Sequence, residues 1–319
     1  MPTLKKSAIT TLRQCLALKK HENLLIVADR TKTRIANELF KQGIKLCRNV
    51  LLIWIPEGRV NGEEPPKAAA ELMKKYDVII CVTQKSLTHT NAVRIARKTG
   101  RKARVATMPG ITEAIFRRGM SADYKKISGL TDRLKAVLRK AKKLRVTARI
   151  GTDITMGRGV MEFGNKEGII HKKGDLNNLP AGEAAFVPVY RSAEGVFMID
   201  ASIDGVGKLD RPIKVTVKNG YAMKIEGGKA ADNLRKLLRS CGKEAFNIAE
   251  LGIGTNDRAK ICKNVLEDEK VMGTAHIALG SSKGLGGNIY AKCHLDGVFK
   301  KPTIYADGKI IIKEGIFMI

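Results

Sequence analysis

Apolar and polar positions along the chain fall into two regimes. Over residues 1–145, continuous apolar runs recur: NLLIVAD at 23–29, VLLIWIP at 50–56, DVIICV at 77–82 and ARVATMP at 103–109. A run apolar at every position predicts a strand covered on both faces, the habit of parallel sheets. Between these runs the periodicity predicts helices over 4–20, Thr31–Gly43, Pro65–Tyr76, Thr90–Thr99 and Thr131–Lys143. Strands alternating with helices imply an α/β, Rossmann-like domain with a parallel sheet between helical layers. The first strand leads into ADRTKTR, not into a glycine-rich phosphate loop. The architecture is therefore of the nucleotide-binding type without a nucleotide site. Asp29, at the end of that strand, reads as a helix cap ahead of a ligand.

Near Lys143 the pattern changes. From LRVTARI (144–150) onward the strands shorten, glycines become denser and hairpin turns appear. KVTVKNGYAMKIE (214–226) sets Asn219-Gly220 between two alternating runs, and TIYADGKIII (303–312) repeats this with Asp307-Gly308. One helix runs from Ala230 to Cys241, and a shorter one is expected from about Asn256. Residues 146–319 thus read as an α+β domain built on an antiparallel sheet.

The candidate chemistry lies in this second domain. In AKCHLDGVF, His294 and Asp296 are two apart, so a strand would send both from one face. His276 sits within TAHIALG, a second strand candidate, and Glu269 lies just before it. Glu183, in NLPAGEAAFVPV, and Glu250, in FNIAELGIGTN, also stand among apolar residues. In strand geometry Glu183, Ala185 and Val187 share a face, as do Phe246, Ile248 and Glu250. Ionised carboxylates in such places need compensation, by Lys or Arg or by a divalent metal. Three Glu, one Asp and two His carry too much negative charge for one zinc but suit two ions bridged by carboxylates.

Composition narrows the class. No apolar run approaches the roughly 20 residues that cross a bilayer, and the start lacks the apolar core of a signal peptide. Six scattered cysteines without a Cys-x-x-Cys pair argue against a disulfide framework or thiolate zinc site, and for a cytoplasmic setting. The net charge of +28 is uneven: residues 1–150 hold 34 Lys and Arg against 11 Asp and Glu, a surplus of 23. That half suits a nucleic acid or another anionic partner, or is simply a solvated basic surface. With aromatics at 5% and no stacking motif among the basic residues, sequence-specific reading of RNA is not expected.

From about Ala148 onward the chain resembles the aminopeptidase T (aminopeptidase S, leucyl aminopeptidase-type) family of two-metal exopeptidases. The pieces that carry the likeness are GTDIT at 151–155, NLPAGE at 178–183, IAELGIG at 248–254, LEDEKVMGTAHIALG at 266–280, GGN at 286–288 and HLDGV at 294–298. The resemblance implies metal ligands at Glu183, Glu250, Glu269, His276, His294 and Asp296, and two divalent ions (Zn, Co, Mn or Mg) per chain. It further implies a homodimer acting on peptide substrates, with Glu250 or Glu269 moving the proton to the leaving amine. Where the family often carries a tyrosine seven residues after the first histidine, this chain has Lys283; Tyr290 or Lys283 itself is the auxiliary candidate, against a merely solvated lysine.

Two other readings stand beside hydrolysis. The same superfamily resemblance extends to 2,5-dihydroxypyridine-type ring-cleaving dioxygenases, in which His276, His294 and Asp296 would hold a single iron as a facial triad. The other is a non-enzymatic basic binding protein whose acids and histidines are structural.

Overall fold

The computed structural model describes residues 2–161 and 167–319, which form two compact units. One runs to Ser128 and takes in a later segment ending at Ala181; the other starts at Gly129, and resumes from Gly182 to Ile319. Among the described residues no helix is long and apolar enough to cross a membrane.

In the first unit the apolar runs become parallel strands in the order Asn49–Trp54, Asn23–Ala28, Val78–Val82, Arg104–Thr107 and Leu176–Asn178. Leu25, Val27, Ile79, Cys81 and Val105 pack into one core cluster with Met73, Val93 and Ala96. Leu24, Ile26 and Ile80, on the alternate positions, are buried as well, which is why the runs have no polar face. Threonines start two of the helices: Thr90 Oγ1 accepts from the amide of Val93, and Thr112 Oγ1 from that of Ile115. The helix Glu113–Gly119 and the fifth strand, Leu176–Asn178, are additions to the sequence reading. The helix expected over Thr131–Lys143 is observed as Tyr124–Lys140.

The second unit is built on an antiparallel sheet. Its strands run in the order Ser202–Ile203, His294–Lys300, Thr274–Gly280, Ile248–Gly254, Glu183–Pro188, Thr152–Met161, Lys143–Ala148, Thr303–Ala306, Lys309–Lys313 and Ile316–Phe317. Both expected hairpins form. Asn219 and Gly220 adopt φ of 49° and 72°, and Asp307 and Gly308 adopt 47° and 83°, the left-handed pair that a tight two-residue turn demands. One face of the central strands carries Phe186, Leu251, Ile253, Ile277, Leu279, Leu295 and Phe299. These join Leu234 and Leu238 of the helix Lys229–Cys241 in one core.

Two expectations fail locally. No helix starts at Asn256; instead its Oδ1 accepts from the amides of Arg258 and Ala259, and its own amide donates to the Lys270 carbonyl. These bonds close a turn and tie it to another segment, so no helix propagates. Phe246 ends a short 3-10 helix, and a bulge between Ile248 and Glu250 shifts the register, so Phe246 does not share a strand face with Glu250.

Candidate metal centre

The opposite face of the same four strands is where the acids and imidazoles lie. Pairing across the sheet sets Glu183 against Gly254, and Gly252 against both Ala185 and His276. It also sets Glu250 and Asp296 against Ala278, and His294 against Gly280. Each large polar side chain thus faces glycine or alanine on its neighbour, and the small residues leave the space that the large ones fill. Gly252 shows how tight this is: a Cβ there would lie 2.1 Å from His276 Nε2 and 2.2 Å from its Cε1. Glu269 comes from outside the sheet, at the end of the short helix Val265–Asp268. Its neighbours Glu267 and Asp268 accept hydrogen bonds from the amides of Lys260 (3.2 Å) and Cys262 (2.7 Å).

All six expected residues come together in this one unit, as two groups able to hold a metal ion: Glu183, Glu269 and His276, and Glu250, His294 and Asp296. His276 Nε2 lies 3.6 Å from Glu183 Oε2, 3.6 Å from Glu250 Oε1 and 4.0 Å from Asp296 Oδ1. His294 Nε2 lies 3.1 Å from Glu250 Oε2 and 3.3 Å from the same Asp296 Oδ1. Most of these separations are too long for good hydrogen bonds. They suit atoms that each stand about 2.0–2.2 Å from one shared cation. Asp296 Oδ1 is buried and receives no hydrogen bond of good geometry, another sign that the donor set fits a metal. His294 Nδ1 donates to the Ser281 carbonyl at 2.8 Å, which leaves Nε2 unprotonated and aimed at the carboxylates in the neutral tautomer.

The electrostatics show how much positive charge the cluster demands. Burial would lower the His276 imidazole, but Glu250 as acceptor for its N–H and the charges of Asp296 and Glu183 overcome it and push it up to about 9. His294 is held well above its ordinary value against the same burial, by Asp296 and Glu250. Burial would raise Asp296, yet His294 and His276 keep it below the usual carboxylate range. Glu269 is pushed up to about 8 by burial, assisted by the charges of Glu183 and Asp296 and opposed by Lys270 and His276.

Lys270 is the group that sequence reasoning missed. Its ammonium lies 2.7 Å from Glu183 Oε1 and 2.5 Å from Glu269 Oε1, on a side chain only 4% exposed. In LEDEKV it reads as one more solvated charge in an acidic run. Lys283 and Tyr290, the auxiliary candidates, stack on each other with Nζ 5.9 Å from the ring centroid, and Tyr290 is 66% exposed.

Residues 59–319 match the family NicX: 2,5-dihydroxypyridine 5,6-dioxygenase. The chain belongs to the NicX family. No curated protein sequence matches it. Among solved structures, the 2,5-dihydroxypyridine dioxygenase of Pseudomonas putida KT2440 is similar with a TM-score of 0.80 at 19% identity, covering 98% of this chain and 96% of that one. Wild-type AmpT from Thermus thermophilus is similar with a TM-score of 0.71 at 15% identity, covering 99% of each chain. At such identities these two likenesses speak for the fold. The aminopeptidase T resemblance read from the motifs is thus matched by a structural neighbour. The family match itself goes to the ring-cleaving dioxygenase held as the alternative, and so the NicX family sets the enzyme class to be weighed first.

Proposed function

We propose that this chain is a ring-opening dioxygenase that holds one ferrous ion on His276, His294 and Asp296 and acts on a hydroxylated pyridine of the 2,5-dihydroxypyridine kind. One observation carries the reading. In a NicX-family chain, the Nε2 atoms of two histidines on neighbouring strands converge on one carboxylate oxygen, Asp296 Oδ1, at 3.3 and 4.0 Å. Two imidazoles and one carboxylate are the donor set of non-haem iron oxygenases and leave positions open for substrate. When bound, the iron supplies the redox chemistry that lets dioxygen react with a closed-shell ring. Both oxygen atoms end in the product as the bond between ring carbons 5 and 6 breaks, so no outside reductant is consumed.

The chain's own groups divide the remaining work. Ser281, through its carbonyl, fixes the His294 ring. Glu250 lies against both imidazoles and is placed to take the proton of a substrate hydroxyl. A cavity of about 410 Å³ lined by Ser202, Asp204, Lys208 and Lys263 is the candidate approach for substrate. Asp204, exposed on the wall of this cavity, is pushed up to about 6 by the protein around its carboxyl and then by the charge of Asp296.

A two-metal aminopeptidase is the second reading, favoured by Glu183, Glu250 and Glu269 standing beside the triad. The deciding experiment loads metal-free protein with iron(II), zinc, cobalt or manganese under nitrogen. Each form is then given 2,5-dihydroxypyridine in air, or aminoacyl-4-nitroanilides and dipeptides. Oxygen uptake equal to ring loss, with iron alone, is expected. Anilide hydrolysis without oxygen uptake would overturn the dioxygenase reading.

A further inference from the structure

We propose that the ammonium of Lys270 is the built-in second cation of the cluster, standing between Glu183 and Glu269 where another divalent ion would otherwise bind. The inference rests on reading the cluster as a metal centre, and not on which substrate it serves.

The donors suffice for two ions, since the six residues form two groups of ligating geometry. In one of these groups, however, oxygens of both carboxylates are already engaged at 2.7 and 2.5 Å by Lys270 Nζ. The Glu269 contact is a charge-assisted hydrogen bond, and the Glu183 contact is a buried ion pair. An ion bound about 2.0–2.2 Å from the same oxygens would overlap the ammonium and repel it.

Nor is the lysine free to step aside. Its amide donates to the Glu267 carbonyl at 3.0 Å, and its own carbonyl accepts from the Asn256 amide at 2.8 Å. The backbone of Lys270 and Val271 packs on Gly254, where a Cβ would lie 2.8 Å from the Lys270 carbonyl carbon and 2.2 Å from the Val271 oxygen. Gly254 in turn pairs with Glu183, so one glycine sets the approach of the lysine to its first partner. A buried lysine needs compensation of this kind. His276, His294, Asp296 and Glu250 then remain for one metal. The scaffold has donors for a two-ion centre, and one ammonium reduces it to a single ion.

The test counts manganese(II) ions per chain after loading and gel filtration, with electron paramagnetic resonance of the same samples. Wild type is expected to bind one ion with an uncoupled spectrum. Lys270→Met is expected to bind two and to show exchange coupling between them. Glu269→Gln, which removes one partner of the ammonium but not the ammonium, is expected to stay at one. Two ions in wild type, or one in a Lys270→Met protein with the wild-type circular dichroism, would overturn the proposal. The wild-type count and Glu269→Gln decide it even where Lys270→Met does not fold: two ions in either overturns it. Finding no ion in wild type would remove the metal-centre reading and this inference together. One ion without ring cleavage would refute only the proposed reaction.

Discussion

The two units meet the same problem, charged groups at the working ends of a sheet, and solve it in opposite ways. In the parallel unit the order of strands reverses beside Asn23–Ala28, where sheets of this type commonly open a ligand crevice. There Asp29 accepts from the amides of Thr31 and Gln84, and Lys32 donates to the Gln84 side chain. Each charge is answered locally, and the crevice is spanned by its own residues. In the antiparallel unit, three carboxylates and two imidazoles on one sheet face meet the Glu269 carboxylate and the Lys270 ammonium from a segment outside the sheet, and protons are drawn onto the imidazoles to balance the charge. The topology advertises a site in the first unit, while the unbalanced charge marks one in the second.

The sharpest way to break this contrast is to remove a ligand. His294→Ala or Asp296→Ala should abolish metal binding, measured by elemental analysis. It should also forfeit the several kcal/mol a bound ion contributes, on the order of 10³-fold or more in rate at about 1.4 kcal/mol per decade. A ligand variant that keeps its metal and full turnover would leave the charge imbalance without a function. Next in size is Gly252→Ala. The added methyl would meet His276 Nε2 at 2.1 Å, so the ring must turn away. Metal affinity should fall about 10–100-fold, the usual cost of disturbing a ligand's support, while the circular dichroism spectrum stays unchanged. An unaltered dissociation constant would mean that His276 does not need this orientation.

Acidity tests the imbalance directly. His276 is raised from an unfolded value near 6.5 to about 9 in the metal-free fold. A raised value means that its proton stabilises the fold fully below about 6.5 and that this contribution fades as pH rises through about 9. Metal binding needs the neutral ring, so affinity should climb over the same range, roughly tenfold per pH unit for each proton displaced. Thermal unfolding of metal-free protein should therefore drop in midpoint from pH 6.5 to 9, while metal affinity by titration calorimetry rises. Parallel trends, or none, would show that the carboxylates do not act on the imidazoles as the distances imply.

How much of this could be read from the chain follows the same physics. The first four parallel strands were legible because burial on both faces leaves unbroken apolar runs, whereas Leu176–Asn178, with two asparagines in three residues, carries no such signal. The candidate ligands other than Glu269 were legible as polar residues in apolar surroundings. What the sequence did not disclose is their setting. Gly252, Gly254, Ala278 and Gly280 look like ordinary small residues until strand pairing puts them opposite the ligands. Lys270 sits in an acidic run that, in one dimension, reads as surface. Its role depends on Glu183, which strand pairing brings close from far back in the chain. The small residues at alternate positions of ELGIG and AHIALG are the one signal that was there to be used.

The smallest expected effect falls in the first unit, where the comparison predicts a purely structural outcome. Asp29→Ala removes the cap on the turn Arg30–Lys32 and the oxygen that receives the Gln84 amide. The loss should be about 1–2 kcal/mol of stability, from one cap and one buried hydrogen bond. Lys32, whose ammonium is lowered by burial and supported by Asp29 and Glu57, loses one of its two neighbouring charges and should swing toward solvent. Chemical denaturation should register the loss, while metal count and turnover per folded chain stay at the wild-type level. A fall in turnover without a fall in stability would mean that this crevice serves the reaction after all, and the division of labour between the two sheets would have to be redrawn.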